Sequence, residues 1–372
     1  MNPVTKWQTT KQQPRRLLCF AAAFSFILLL GVLCFPYGVR LALWTSMAAA
    51  VLLAAALVLL WGRRYVLAAA GALCAAVWFA LFCAALLPAM REAEGTHEFA
   101  LEVLTYSEGH TAYGTVTGRI LEMDGEKARG LRAEVFLQDG SPAFEPGQRL
   151  RFRATGAPGR RMADGLFVRL SQNGAIEQEE GKPSLQAKFA RWSHALSARI
   201  DSLLTGDEAA LCKALLTGDR SGFSPRFRRA LSLSGAAHIA SVSGMHVSIL
   251  AAFAFAVFGK RWGSLISLPM LFAFAALTGF VPSVLRAVIM TGVALLAFCL
   301  RQEADTLTSL FFALMLLLAF NPFSALSPSL QLSFGATLGL VLFTPRLTEA
   351  CAAHLPTRPV PRRMVRTVAL SL

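Results

Sequence analysis

Long apolar runs constrain this chain more than anything else in it. Crossing about 30 Å of hydrocarbon takes roughly 20 mostly apolar residues in a helix. Such runs fall at 17–35, 39–61, 65–88, 236–258, 263–281, 283–300, 306–320 and 329–344. A ninth begins near Met364 and breaks off, so the sequence reads as part of a longer architecture. The first run is too long for the apolar region of a signal peptide, lacks a small-residue cleavage site and is followed by two more, which makes it an uncleaved helix. Composition agrees: 55% hydrophobic and 16% charged residues lie outside the soluble range. The expected class is a polytopic α-helical membrane protein.

Charge gives an orientation. The net charge of +14 could suggest a nucleic-acid surface, but residues 91–233 hold 20 Lys and Arg against 19 Asp and Glu and are nearly neutral. The excess sits at the ends of the apolar runs, as the positive-inside rule requires. With the Lys6–Arg16 tail in the cytoplasm, Arg63-Arg64, Lys260-Arg261, Arg301 and the Arg346–Arg366 cluster all fall on the same side. Residues 91–233 then fall on the outer face. Only Cys212 lies in that outer segment, so no disulfide can form within it, and no Cys/His spacing suggests zinc or any other metal.

The outer segment changes period along its length. From about Thr111 to Glu180 it alternates apolar and polar residues between Gly, Asp-Gly and Asn-Gly punctuation. That pattern predicts about five short antiparallel strands, which suits a small all-β domain: an OB-like barrel first, a generic β-sandwich as the alternative. Arg149, Arg151, Arg153, Arg160, Arg161 and Arg169 give it cations, but few aromatics accompany them as a single-strand groove would need. From Ser184 to Ser234 the period turns helical, with Trp192, Leu196, Ile200 and Leu203 on one face of an amphipathic helix suited to a membrane surface. A last short helix starts where Ser224 can cap and Pro225 can occupy the first turn. Its Arg226, Arg228 and Arg229 serve either interface anchoring or a basic vestibule for an anionic substrate.

A few polar groups sit inside the apolar runs. Arg286 in "VPSVLRAVIMTGV" is costly in hydrocarbon unless it faces protein, water or an anion, or snorkels to the interface. Gln331 and Ser333 in "SLQLSFG" are milder cases, suited to interhelical hydrogen bonds or to a polar path. In "SGAAHIASVSGMHVSIL", His238 and His246 stand eight residues apart, about 80° around a continuous helix. A metal site there lacks a third ligand. A Ser243 nucleophile lacks the glycine that leads a nucleophile elbow. A helix loosened at Ser243-Gly244, lining a hydrated cavity, fits better; two buried packing histidines are the simpler alternative.

Taken in order, Gly218-Asp219-Arg220, His238, Ser243-Gly244, His246-Val247, Pro282-Ser283, Arg286-Ala287, Asn321-Pro322 and Gln331-Leu332-Ser333-Phe334 resemble the motifs of the ComEC family. This is the membrane channel family of DNA uptake in natural competence. One departure is Ala-Ser-Val-Ser at 240–243, where members often carry bulkier residues. The resemblance implies passage of single-stranded DNA through a cell-membrane protein with a cytoplasmic N-terminus. His238, Ser243, Gly244, His246, Arg286, Gln331 and Ser333 would lie on the DNA path. It further implies the lipid bilayer, DNA-receptor proteins and a cytoplasmic motor as partners, admits a homo-oligomer, and calls for no cofactor and no catalytic residue in this stretch.

The expected organisation is three N-terminal spans over 1–90 and an extracytoplasmic OB-like β domain over 91–183. Amphipathic interfacial helices follow over 184–234, then a truncated competence-type membrane core over 235–372 with five spans and the start of a sixth. Many members also carry a C-terminal metallo-β-lactamase-like domain; its His-x-His-x-Asp-His cluster does not occur here, so no nuclease activity is expected of these residues. The alternative function is a membrane-anchored transporter or scaffold with an extracellular binding barrel.

Overall fold

The computed structural model describes residues 16–61, 65–105, 115–138, 144–179, 183–219, 222–235, 242, 244–299 and 305–354. The chain forms two compact units, one of Met1–Ala80 with Glu303–Leu372, the other of Leu81–Gln302. It is a helical membrane protein with a β-barrel inserted between its helices.

In the first unit, α1 (Arg16–Cys34) is the central helix, with Ala21, Ile27, Leu28 and Val32 fully buried. It packs on α2 (Val39–Trp61) and on α9 (Thr306–Phe320). The first half of α3 (Val66–Glu92) crosses α1 at a glycine: a Cβ at position 71 would stand 2.5 Å from the Phe20 carbonyl oxygen, so only glycine allows the approach. Trp78 Nε1 donates to the Ala319 carbonyl at 3.0 Å. The outward residues are apolar: Leu52, Leu59 and Leu60 of α2 are 70, 82 and 72% exposed. Three helices, Arg16–Tyr37, Val39–Leu60 and Val66–Glu92, are long and apolar enough to cross a membrane. In water such faces would be a large unfavourable area; against lipid tails they are matched.

A short 3₁₀ helix (Pro322–Leu326) links α9 to α10 (Pro328–His354). Asn321 Oδ1 accepts from the Phe323 N–H at 3.1 Å and Ser324 Oγ donates to the Asn321 carbonyl at 2.6 Å, which closes the turn. Phe323 is buried beneath it, edge-on to Phe35 with centroids 4.7 Å apart.

The second unit starts with the end of α3, followed by β1 (Gly95–Val103), β2 (Thr115–Met123), β3 (Glu126–Lys127), β4 (Arg132–Phe136), β5 (Arg149–Pro158), β6 (Val168–Gln172) and β7 (Glu177–Glu179). The order β1-β2-β4-β6-β5 closes through a β5–β1 pairing into a five-stranded OB-like barrel, with β3 and β7 as short additions. Its core includes Phe99, Leu101, Val116, Ala133, Val135, Phe144, Leu150, Phe152 and Leu170. Two expectations are corrected here. The strands are not all antiparallel: β4 and β6 pair in parallel, Ala133 opposite Val168 and Val135 opposite Leu170. The sheet also begins at Gly95, upstream of the alternating text. From Phe99 to Val103 every residue of β1 is buried, because β1 pairs on both sides and its outer face is covered, so the period of two is lost.

The barrel is tied to the helices beside it. A Cβ at position 156 would stand 1.8 Å from the Ala93 carbonyl oxygen, so glycine lets β5 press on the end of α3. Arg129 donates to the Ala85 carbonyl at 3.0 Å, one turn before Pro88 interrupts the α3 hydrogen-bond ladder. The start of α4 (Leu185–Leu203) is held by three bonds. The Ser184 N–H donates to the buried Glu102 carboxylate at 2.7 Å, Arg132 to Gln186 Oε1 at 2.9 Å and Arg191 Nε to the Pro146 carbonyl at 2.6 Å. Next come α5 (Gly206–Leu216) and α6 (Pro225–Leu233), where Ser224 accepts from the Phe227 N–H and Pro225 fills the first turn.

The unit ends in α7 (Gly244–Leu277) and α8 (Pro282–Cys299). α7 is two apolar segments meeting at Gly259, whose φ of 71° and ψ of 170° break the helix. They fold back closely: a Cβ at position 263 would stand 2.9 Å from the Ala254 carbonyl oxygen.

Candidate functional site

The start of α7 carries His246, and it packs on the turn of α8 that carries Arg286. Val242 is buried with Val247, Leu271, Ala275, Val284 and Leu295; Phe255, Phe280, Ala287 and Val288 pack around them. Gly244 opens α7 directly against α8: a Cβ there would sit 3.4 Å from the Ala287 Cβ. The small pair Gly244 and Ala287 thus lets the first turn of α7 approach the turn of α8 that carries Arg286. Both His246 and Arg286 are half-buried. Ser248 Oγ donates to the Gly244 carbonyl at 3.0 Å, which satisfies one group of that first turn.

The chain reverses between α7 and α8 in a Schellman motif. The Phe280 N–H donates to the Ala275 carbonyl at 2.7 Å and the Gly279 N–H to the Ala276 carbonyl at 3.2 Å. Gly279 and Phe280 both take positive φ, 73° and 58°. For phenylalanine that conformation is strained, and its ring is held beside Phe272 with centroids 5.9 Å apart. Gly218, at φ 82°, turns beneath this reversal; a Cβ there would lie 3.7 Å from Val242 Cγ2 and 3.8 Å from the Thr278 carbonyl oxygen. The Gly218 turn, Val242, Thr278 and the Gly244–Ala287 contact therefore form one packed neighbourhood. Thr278 was not singled out from sequence, and Ala287 entered only beside Arg286 in a family motif; the signal for the reversal was Gly279 following an apolar run, the usual mark of a helix C-terminus.

Neither α7 nor α8 contains an Asp or Glu. The Arg286 guanidinium, which does not deprotonate in proteins, is a positive charge on a helix of otherwise apolar and small residues. Among the described residues no group of three or more His, Cys, Asp or Glu could hold a metal ion. His238 and Ser243 lie outside the described residues. Gln331 and Ser333 belong to α10 in the other unit. There Gln331 Nε2 donates to the Ala325 carbonyl at 2.8 Å and so braces the 3₁₀ turn, while Thr337 Oγ1 donates to the Ser333 carbonyl at 2.8 Å.

The barrel's arginines are handled differently. Arg151 pairs with Glu122 and Glu179 at 3.4 and 3.1 Å, Arg161 with Glu134 and Asp164 at 3.1 and 3.0 Å, and Arg169 lies 4.2 Å over the Phe136 ring. Between β1 and the turn that joins β2 to β3, His97 Nδ1 and Asp124 Oδ2 are 2.6 Å apart. The hydrogen bond to Asp124 raises the His97 pKa above its ordinary 6.5. Asp124 is held low by the Glu98 N–H first and by His97 second.

A family model described as "Competence protein" matches residues 215–371, which contain this whole neighbourhood. ComE operon protein 3 of Bacillus subtilis (strain 168) is 33% identical over 147 residues, covering 38% of this chain and 19% of that protein. The chain thus aligns with about a fifth of the length of the relative it matches. No solved structure matches it. Ordered motifs, the matched domain and this relative point the same way: over residues 215–371 the chain is similar to competence proteins of the ComEC family.

Proposed function

We propose that this chain is a channel component that passes single-stranded DNA across the cell membrane into the cytoplasm during natural transformation. The observation that carries the reading is the approach of Gly244 to Ala287, which sets the first turn of α7 beside the turn of α8 that holds Arg286, in a pair of helices without a carboxylate. A strand in transit needs a hydrated route, cationic contacts for phosphate and apolar faces for bases. Arg286 supplies the cation, and His238, Ser243, Gly244 and His246 the break in the helix. In the other unit, Gln331 and Ser333 are proposed as contacts of the strand on α10, with Gln331 also bracing its own turn.

The chain crosses the membrane several times with its N-terminus in the cytoplasm, and the barrel lies outside, as the distribution of Lys and Arg supports. Receptor proteins outside and a motor inside would hand the strand on and draw it through.

Entry of labelled DNA into a strain deleted for this gene tests the reading. We expect intracellular label to vanish and to return with the natural gene. Normal entry in the deletion strain would leave the transporter or scaffold reading instead.

A further inference from the structure

The two faces of α6 are unlike. On one, Phe227 and Leu231 pack with Phe223 against Ala210 and Ala214 of α5, the Phe223 and Phe227 rings 5.4 Å apart. The Asp207 carboxylate fixes the first turn by accepting from the Ser224 N–H at 3.0 Å and from its hydroxyl at 2.8 Å. Successive helical residues turn about 100°, so Arg229 points away from the packed side, with Arg226 and Arg228 flanking it. All three are exposed. The helix contains no Asp or Glu, and among the described residues none of the three arginines joins an ion pair.

Two comparisons say what such a face is for. The barrel's Arg151 and Arg161 each meet two carboxylates and are largely neutralised. α4 carries an exposed apolar stripe, Leu185, Trp192, Leu196 and Leu203 at 65, 69, 37 and 76% exposure, the pattern of a helix lying in a membrane surface. The free face of α6 has one large apolar residue, Leu233, and three guanidiniums, too little apolar area to insert. Fixed, unneutralised cations on a braced helix attract a polyanion. Moreover, only ten residues separate the end of α6 from Gly244, where α7 begins.

We infer that Arg226, Arg228 and Arg229 form a phosphate-binding surface that holds the backbone of a single strand ahead of the α7–α8 pair. The inference rests on the DNA reading above. It adds residues that touch phosphate but read no sequence.

The test uses the natural full-length protein in nanodiscs of zwitterionic lipid and a fluorescent oligothymidylate, with affinity measured across a salt series. Each phosphate contact on a single strand contributes about 0.7 to the slope of log affinity against log salt. The triple variant R226Q/R228Q/R229Q should therefore lose about 2 from that slope, and R226K/R228K/R229K should keep it. A Gln variant with the natural slope and affinity overturns the inference. So does a Gln variant that keeps its DNA slope but no longer binds anionic vesicles, which would make the face a lipid contact. If the natural protein binds no single strand at any salt, the DNA reading falls with it; binding that is unchanged in the Gln variant removes α6 alone.

Discussion

The barrel and the α7–α8 pair lie in the same unit and follow opposite rules for polarity. Around the barrel, apolar side chains turn inward and the charged ones outward, where Arg151, Arg161 and Asp124 find partners. Along α7 and α8 large apolar residues face outward, Ile249, Phe253 and Leu265 at 58, 60 and 54% exposure, while Arg286 and His246 are half-buried. The difference is one of solvent. Where water surrounds a surface, a charge on it is ordinary and mostly structural; where hydrocarbon does, a charge is expensive and marks a site. Arginine therefore carries little functional information on the barrel and a great deal on α8.

The largest expected effect is at the joint between β5 and α3. Gly156→Val would drive a side chain into the Ala93 carbonyl, backbone on both sides, at a cost of about 3 kcal/mol or more. Loss of the monodisperse folded protein in size-exclusion chromatography would report it. A Val variant that folds normally would mean the barrel is not pressed on α3 as described.

The next effect separates the two regions. Gly244→Leu should force α7 off α8 and cost about 1–3 kcal/mol, whereas Gly244→Ala, whose methyl would meet Ala287 at 3.4 Å, should nearly fit. Transformation should fall in the Leu variant and be mostly kept in the Ala variant; equal behaviour of the two would break the close-approach account.

The smallest effect is confined to the barrel surface. His97 is raised by Asp124, so its share of stability is full below about pH 6.5 and is lost as pH rises through its folded-state value. Asp124 is lowered, so its share is present above the ordinary carboxylate range and is lost as pH falls through its folded-state value. The pair thus stabilises the barrel between those two limits. Thermal melts across that window should flatten in Asp124→Asn, and transformation should not change.

How much of this was legible follows from the same difference in solvent. β2, β5 and β6 alternate in burial as they alternate in sequence. Asp124-Gly125, both at positive φ, make the hairpin that the Asp-Gly pair signals. β1 escaped because a strand covered on both faces shows no alternation, and the parallel β4–β6 pairing has no local signature at all. In the helices, apolar runs announced the elements but not their contacts. The text "SGMHV" suggested a weak point in a helix, Ser243 lies outside the described residues, and nothing in the text said that Gly244 meets Ala287. Gln331 looked like Arg286, a polar group in an apolar run, and nothing in the text said that its amide braces the turn through the Ala325 carbonyl.

The central claim is that the charge on α8 serves transport while comparable charges on the barrel serve structure. Transformation frequency in strains carrying Arg286→Gln or Arg151→Gln, each at natural abundance, tests it most directly. The account predicts a fall of about tenfold or more for Arg286→Gln, equivalent to about 1.4 kcal/mol or more, and no change for Arg151→Gln. Natural transformation with Arg286→Gln, or an equal fall in both strains, would contradict it.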